Sequence, residues 1–278
     1  MLELEVWSVL EFSYYANKAF RKLFENKLTY GIYERVLWRQ IKDGPKPEHV
    51  GIILDGNRRW ASEHGLQAWM GHEVGANKVE DLLDWCWKLG IKAITIYVFS
   101  TENFTRSKME IDEIMRVAVL KLNKILDDGR IHKNRVHIKA IGRIDLLPEP
   151  VKDVIKQAEE TTKSYDQFYL NIAIAYGGRA ELVDAMRKIA REIRDGVMVP
   201  EQIDEEIIEK RLYTAYLPKS DPDLIVRTSG EERLSNFLLW QSAYSELLFL
   251  DVFWPDFRHI DLWRAVRTYQ RRRRRFGR

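Results

Sequence analysis

Asp55-Gly56-Asn57-Arg58-Arg59 places a carboxylate, a flexible glycine, an amide and two guanidinium groups side by side. A carboxylate next to arginine forks suits a divalent metal beside a phosphate. Mg2+ takes one or two protein carboxylates and fills its shell with phosphate oxygens and water, while a planar guanidinium meets phosphate oxygens two at a time. Asp-Gly and Asn are also plain turn formers, so on its own the pentapeptide reads equally well as a strand-to-turn junction. Three more stretches have similar chemistry: Ser100-Thr101-Glu102-Asn103-Phe104-Thr105-Arg106, Tyr176-Gly177-Gly178-Arg179, and Arg227-Thr228-Ser229-Gly230 with Glu231-Glu232-Arg233-Leu234-Ser235-Asn236 behind it. One such stretch is ordinary; four that offer arginine, hydroxyl, amide and glycine describe a pocket of anion donors. The ligand implied is a phosphate or diphosphate ester with a divalent metal. His72 can donate to such a phosphate or serve an ordinary hydrogen bond.

The four stretches share a position in the pattern, because each follows an apolar run of strand type. Runs occur at 50–54, 93–99, 136–141, 168–175, 224–226 and 247–253, separated by helical stretches at 72–89, 110–128, 149–163, 179–195, 204–216 and 260–273. Alternation of this kind predicts an α/β fold: a single domain with a mainly parallel six-stranded sheet flanked by helices. Ligands of open α/β sheets bind at the C-terminal ends of strands, where the helix N-termini that follow also favour anions. Helices 72–89 and 110–128 carry long apolar faces that serve either as core against the sheet or as walls of a tunnel for a hydrocarbon. Periodicity does not separate the two.

Residues 6–41 read as an aromatic and basic helical extension, broken near Tyr30-Gly31. Such a segment packs on the main domain or a second subunit, the commoner outcome, or lies on a membrane surface. Asp43-Gly44-Pro45-Lys46-Pro47 is a turn-rich linker, which divides the chain into an extension at 1–47 and a catalytic domain at 48–278.

The formal net charge is +3, but six arginines fall within 271–278, and without them the chain is slightly acidic. That argues against a general nucleic-acid binder. Cys86 is the only cysteine, which excludes an intrachain disulfide and a cysteine-rich zinc site. The acidic start lacks the apolar stretch of a signal peptide, and no run reaches the ~20 apolar residues of a membrane span. A cytoplasmic protein, with peripheral contact at the membrane's inner face, is expected. There is no P-loop, no Gly-x-Gly-x-x-Gly after the first strand and no Gly-x-Ser-x-Gly elbow, so an NTPase, a dinucleotide enzyme and an α/β-hydrolase are disfavoured.

The chain resembles the cis-prenyltransferase family in its archaeal style. The resemblance runs from about His49 to Gly277 through His49-Val50 to Trp60-Ala61, Gly71-His72, Phe99 to Arg106, Asn171 to Arg179, Asp223 to Glu231, Arg233 to Gln241, and Tyr244 to Phe257. It implies repeated Mg2+-dependent condensation of isopentenyl diphosphate onto an allylic diphosphate, farnesyl or geranylgeranyl, with a cis double bond made at each step. On this resemblance Asp55 and Asn103 are catalytic, and Asp55 with Glu246 would hold Mg2+. Gly56, Asn57, Arg58, Arg59 and His72 would grip the allylic diphosphate; Arg227, Arg233, Leu234 and Ser235 would surround isopentenyl diphosphate. Trp60, Ser100, Thr101, Glu102, Phe104 and Arg106 would border the site. An amide is a poor base, so Asn103 is expected to orient a proton-accepting diphosphate oxygen.

Ala68 stands where many bacterial members have Arg, and Arg58 and Ser229 where Gly is common. Arg275-Phe276-Gly277 resembles a tail that reaches the partner's active site in a homodimer. The product implied is a carrier-lipid precursor of medium chain length, roughly ten to twelve isoprene units. The competing reading is a non-catalytic accessory subunit that binds prenyl diphosphates.

Overall fold

The computed structural model describes residues 27–272. Its centre is one sheet of six strands, all parallel: β1 (His49–Ile53), β2 (Ala93–Ser100), β3 (Val136–Ile141), β4 (Phe168–Tyr176), β5 (Leu224–Arg227) and β6 (Glu246–Phe249), in the spatial order β3-β4-β2-β1-β5-β6. The helices are α1 (Lys27–Ile41), α2 (Asn57–Glu63), α3 (Ala68–Leu89), α4 (Lys108–Leu126), α5 (Gly129–Lys133), α6 (Glu149–Thr162), α7 (Gly178–Arg194), α8 (Glu205–Glu209) and α9 (His259–Arg271).

Period-two alternation sorts the strand residues onto two faces. Val50, Ile52, Ile94, Ile96, Leu170, Ile172 and Ile174 join the large core with α3, α4, α6 and α9. Ile53, Tyr97, Ala173 and Ile225 join a smaller cluster with Phe237 and Leu238 on the opposite face. Gly51 belongs to that second face because a Cβ there would press on Phe237 and Ile225. Helix boundaries follow local chemistry. Ser107 caps α4 by accepting from the Glu110 amide at 3.3 Å, and Gly90 ends α3 in the left-handed conformation at φ 76°. Cys86 is fully buried on α3.

Two expected elements differ. The helix expected over 204–216 stops at Glu209, because the Tyr213 amide donates instead to the buried Glu181 carboxylate at 2.7 Å. The last strand begins at Glu246 and ends at Phe249 rather than running to 253. The stretch after β1, which the periodicity does not mark as helical, forms helix α2.

Of the 6–41 extension, 27–41 is helix α1, which runs unbroken through Tyr30-Gly31 against the break expected there, and 6–26 lies outside the described residues. Helix α1 packs: Leu37 and Ile41 are fully buried, Trp38 meets Trp263 of α9 at 5.0 Å, and the Lys88 ammonium sits over both rings. The Gln270 amide donates to the Ile41 and Pro45 carbonyls, each at 3.0 Å. Ile32 and Val36 face outward. Among the described residues no helix is long and apolar enough to cross a membrane.

Candidate active site

The C-terminal tips of β1, β2, β4 and β5 converge on one opening, as the four polar stretches require. Asp55 lies two residues past β1, locked by its backbone: its amide donates to the Thr228 hydroxyl at 3.0 Å, and that hydroxyl donates to the Asp55 carbonyl at 2.7 Å. Its carboxylate receives Arg227 Nη2 at 2.7 Å and the Gly56 amide at 2.7 Å. Burial raises the Asp55 carboxyl, but Arg227, Ser229 and the Gly56 amide override it and hold the carboxyl below its ordinary value. Arg227 is itself buried and also donates to Ser235 Oγ at 2.7 Å and to the Arg233 carbonyl. Arg59 bridges to Ser229 Oγ at 2.6 Å and Glu231 at 3.1 Å, and Arg233 pairs with Glu231.

A second basic group faces this one across the opening. Glu110 Oε1 on α4 gathers Arg106 at 2.9 Å, His72 Nε2 of α3 at 3.2 Å and Arg58 of α2 at 3.6 Å. Burial lowers the His72 pKa, and the Glu110 hydrogen bond only partly restores it. The imidazole is therefore neutral near pH 7 and donates from one nitrogen.

At the β2 tip, Asn103 Oδ1 accepts from the Ser100 amide at 3.0 Å, closing a capping box. Register with β4 shifts between Tyr97 and Ser100; such irregularities re-aim side chains at strand ends. Glu102 receives the Asn236 amide nitrogen at 2.8 Å, and Asn236 Oδ1 takes the Arg179 backbone N–H at 2.9 Å. Ser229, Ser235, Asn236 and Leu238 all have positive φ, so the β5–β6 connection holds strained backbone where it meets the opening.

Behind the opening lies a cavity of about 1180 Å³. Its mouth carries Asp55, Gly56, Asn57, Arg58, Arg59, Ala68, His72, Ser100, Glu102, Asn103, Arg106, Arg179, Arg227, Glu231, Arg233, Ser235 and Asn236. Its body is mostly apolar, walled by Val79 of α3, Ile114, Val117, Ala118, Leu122 and Ile125 of α4, Ile155 of α6, and Ile96, Phe99, Ile172 and Ile174 of the sheet, with Glu80 and Lys121 also on its border. The α3 and α4 faces left open by periodicity are thus core and tunnel wall at once.

Four expected site residues do not line the cavity. Trp60 stacks on His64 at 4.2 Å and donates to Asp256; Phe104 packs edge-on against Phe99; Thr101 turns to Glu102; Leu234 packs on the second core cluster. The pairing of Glu246 with Asp55 at one metal needs correction within a single chain. Glu246 opens β6 in register with Leu224, itself beside Val50, at the sheet's opposite edge, and it pairs with Arg272 at 2.7 Å. Nothing in the sequence marks Glu110, which looks like an ordinary surface charge on a helix, and Glu231 stands out only as part of the polar stretch after β5.

Among the described residues no group of three or more His, Cys, Asp or Glu is arranged to hold a metal by itself. The donor set still suits Mg2+, which binds through few protein carboxylates and completes its shell with phosphate oxygens. Asp55 is anionic, part-exposed at the mouth and flanked by the arginines that would hold those phosphates.

A family model described as "Putative undecaprenyl diphosphate synthase" matches residues 53–277. The chain belongs to this family of cis-prenyltransferases. It is 53% identical over 258 residues, 93% of this chain and 92% of the relative, to the tritrans,polycis-undecaprenyl-diphosphate synthase (geranylgeranyl-diphosphate specific) of Methanocaldococcus jannaschii. It is equally similar, 53% over 252 residues (91% of this chain and 92% of the relative), to the protein of the same name from Methanopyrus kandleri. Among solved structures, lavandulyl diphosphate synthase from Lavandula x intermedia in complex with dimethylallyl diphosphate superimposes with a TM-score of 0.81 at 38% identity, covering 84% of this chain and 99% of that one. The chain is a prenyltransferase, archaeal in style. The archaeal alignments cover more of it than the family model does, so those relatives share part of the N-terminal extension.

Proposed function

We propose that this cis-prenyltransferase adds isopentenyl diphosphate repeatedly to geranylgeranyl diphosphate, with Mg2+ held at Asp55, giving a polyprenyl diphosphate of about undecaprenyl length. The observation that carries this reading is one cavity with a two-part basic mouth and a long apolar body. At about 30 Å³ per non-hydrogen atom, the share of a water in the liquid, its volume holds on the order of forty atoms. That is about eight isoprene units, well beyond a single unit and short of a full undecaprenyl chain.

Two anion subsites suit two diphosphates. The group at Glu110, with Arg58, His72 and Arg106, lies beside Gly56 and Asn57 and suits the allylic diphosphate. Arg227, Arg233 and Ser235 suit isopentenyl diphosphate. Mg2+, when bound, would neutralise diphosphate charge as the allylic carbon–oxygen bond breaks. Arg59 and Arg227 stabilise the same charge from fixed positions. Asn103 is held by the Ser100 amide and orients a diphosphate oxygen that takes the proton lost from isopentenyl diphosphate. The apolar body receives the lengthening chain while both diphosphates stay at the mouth.

Homodimerisation and peripheral membrane contact belong to the same reading, which rests there on the lipid nature of the product and on the tail. Arg275-Phe276-Gly277 lies outside the described residues.

The test pairs radiolabelled isopentenyl diphosphate with geranylgeranyl or farnesyl diphosphate, with and without Mg2+. Products resolved by chain length should approach eleven isoprene units, prefer the geranylgeranyl starter and disappear with EDTA. Asp55→Asn should lower kcat/KM by about a hundredfold or more, the scale for losing a charge-stabilising group in a closed site. No elongation with either starter would refute the proposal.

A further inference from the structure

Helices α3 and α4 run side by side in the same direction, and polar pairs lace their outer seam from mouth to base. His72 meets Glu110 at the mouth. Glu73 and Arg116 follow at 3.9 Å. Deeper, Lys121 reaches the Asn77 side chain and Glu80 at 3.3 Å, and Lys124 reaches both Glu80 oxygens at 2.8 Å. Asp84 closes the series with Arg130 of α5 at 2.5 Å.

The rungs are not equivalent. Glu73–Arg116 and Asp84–Arg130 are more than two-fifths exposed, whereas Glu80 and Lys121 are only about one-fifth exposed. Glu80 and Lys121 also border the cavity itself, beside Val79, Val117, Ala118 and Leu122. At that depth the lumen is also lined by the small residues Gly75, Ala76 and Ala118, which add no bulk to the apolar wall that Val79, Val117 and Leu122 supply. Burial would raise the Glu80 carboxyl, but hydrogen bonds from Lys124 and Lys121 hold it below its ordinary value.

We propose that the Glu80–Lys121 rung, braced by Asn77 and Lys124, is a length-determining clasp: it holds α3 and α4 together across the path of the growing chain and so limits the room for further units. The inference rests on the polyprenyl synthase reading and adds a residue pair to it. A hydrocarbon offers no competing partner to either charge, and a charge facing it unpaired is costly, so the rung stays closed while the chain passes. Without the rung the seam loses its least exposed ion pair beside the lumen, and the wall can yield outward there.

The experiment compares product ladders from wild type, Glu80→Gln, Lys121→Met (which keeps the apolar stem) and the charge swap Glu80→Lys/Lys121→Glu. The fraction of products longer than the main wild-type species should rise about twofold or more in each single variant, the scale of a part-exposed ion pair, and fall back toward wild type in the swap. Raising KCl to about 0.5 M should lengthen wild-type products in the same direction, because screening weakens the pair. That arm stands even where a variant fails to fold. Ladders that are unchanged or shorter in the single variants, or a wild-type ladder indifferent to salt, would overturn the clasp. A wild-type protein that makes no ladder would overturn the synthase reading beneath it, which is a separate outcome.

Discussion

Glu110 shows how a site can hinge on a residue with no motif to mark it. In the sequence it is one of several acidic residues at the start of an amphipathic helix. In the fold it is the anion on which Arg58, His72 and Arg106 converge from three elements. Asp55, Arg227 and Ser235 were legible because charged and hydroxyl residues at strand tips have few structural reasons to be there. Trp60, Phe104 and Leu234 lie off the cavity, since large side chains beside a site have packing duties that sequence does not reveal. Glu110→Ala should lower kcat/KM for the allylic diphosphate about tenfold, the worth of one hydrogen bond to a charged partner. Steady-state kinetics with the starter varied at saturating isopentenyl diphosphate check this; a change confined to the KM of isopentenyl diphosphate would contradict the assignment of the two subsites.

The order of strands and helices was legible because buried parallel strands are continuous apolar runs and helices are not. The failures lie where tertiary contacts override local pattern. Residues 204–216 have helical periodicity, yet the buried Glu181 carboxylate claims the Tyr213 amide and the helix ends early. Helix α2 was missed because its N-cap is Gly56, in the left-handed conformation at φ 102°, and it reads as a turn. What presses α2 against α3 is a pair of glycines. A methyl on Gly71 would strike the Asn57 carbonyl oxygen, and one on Gly75 the Asn57 side chain and Trp254. Alanine is worth about 1 kcal/mol more than glycine inside a helix, but a clash with backbone costs about 1–3 kcal/mol. Gly71→Ala should therefore lower stability in a urea titration, and it should raise the allylic-diphosphate KM as Asn57 and Arg58 shift. A variant more stable than wild type would show that α3 can retreat.

The sheet as a whole is fastened at its far end by a buried polar chain. His49 Nε2 meets Thr95 Oγ1 at 2.7 Å, the Asn171 amide donates to the same hydroxyl at 2.8 Å, and Tyr216 donates to Asn171. Burial pushes the His49 pKa down to about 4, against about 6.5 in an unfolded chain. Between those values unfolding takes up a proton, so stability rises with pH across the window and is lost as pH falls from about 6.5 toward 4. At about 1.4 kcal/mol per unit the loss is about 3 kcal/mol. Urea unfolding across this range should show that slope in wild type and a flatter one in His49→Gln; equal slopes would place the effect on other groups. Cys86 is fully enclosed, and burial pushes its thiol up, far from the thiolate that reagents attack. With no other sulfhydryl in the chain, native protein is silent to maleimide and nitroxide reagents. Asp81→Cys on α3 and Leu120→Cys on α4, both at exposed positions, would therefore take a pair of spin labels without background. The separation of the two helices then becomes a distance that can be followed in solution as the prenyl chain lengthens.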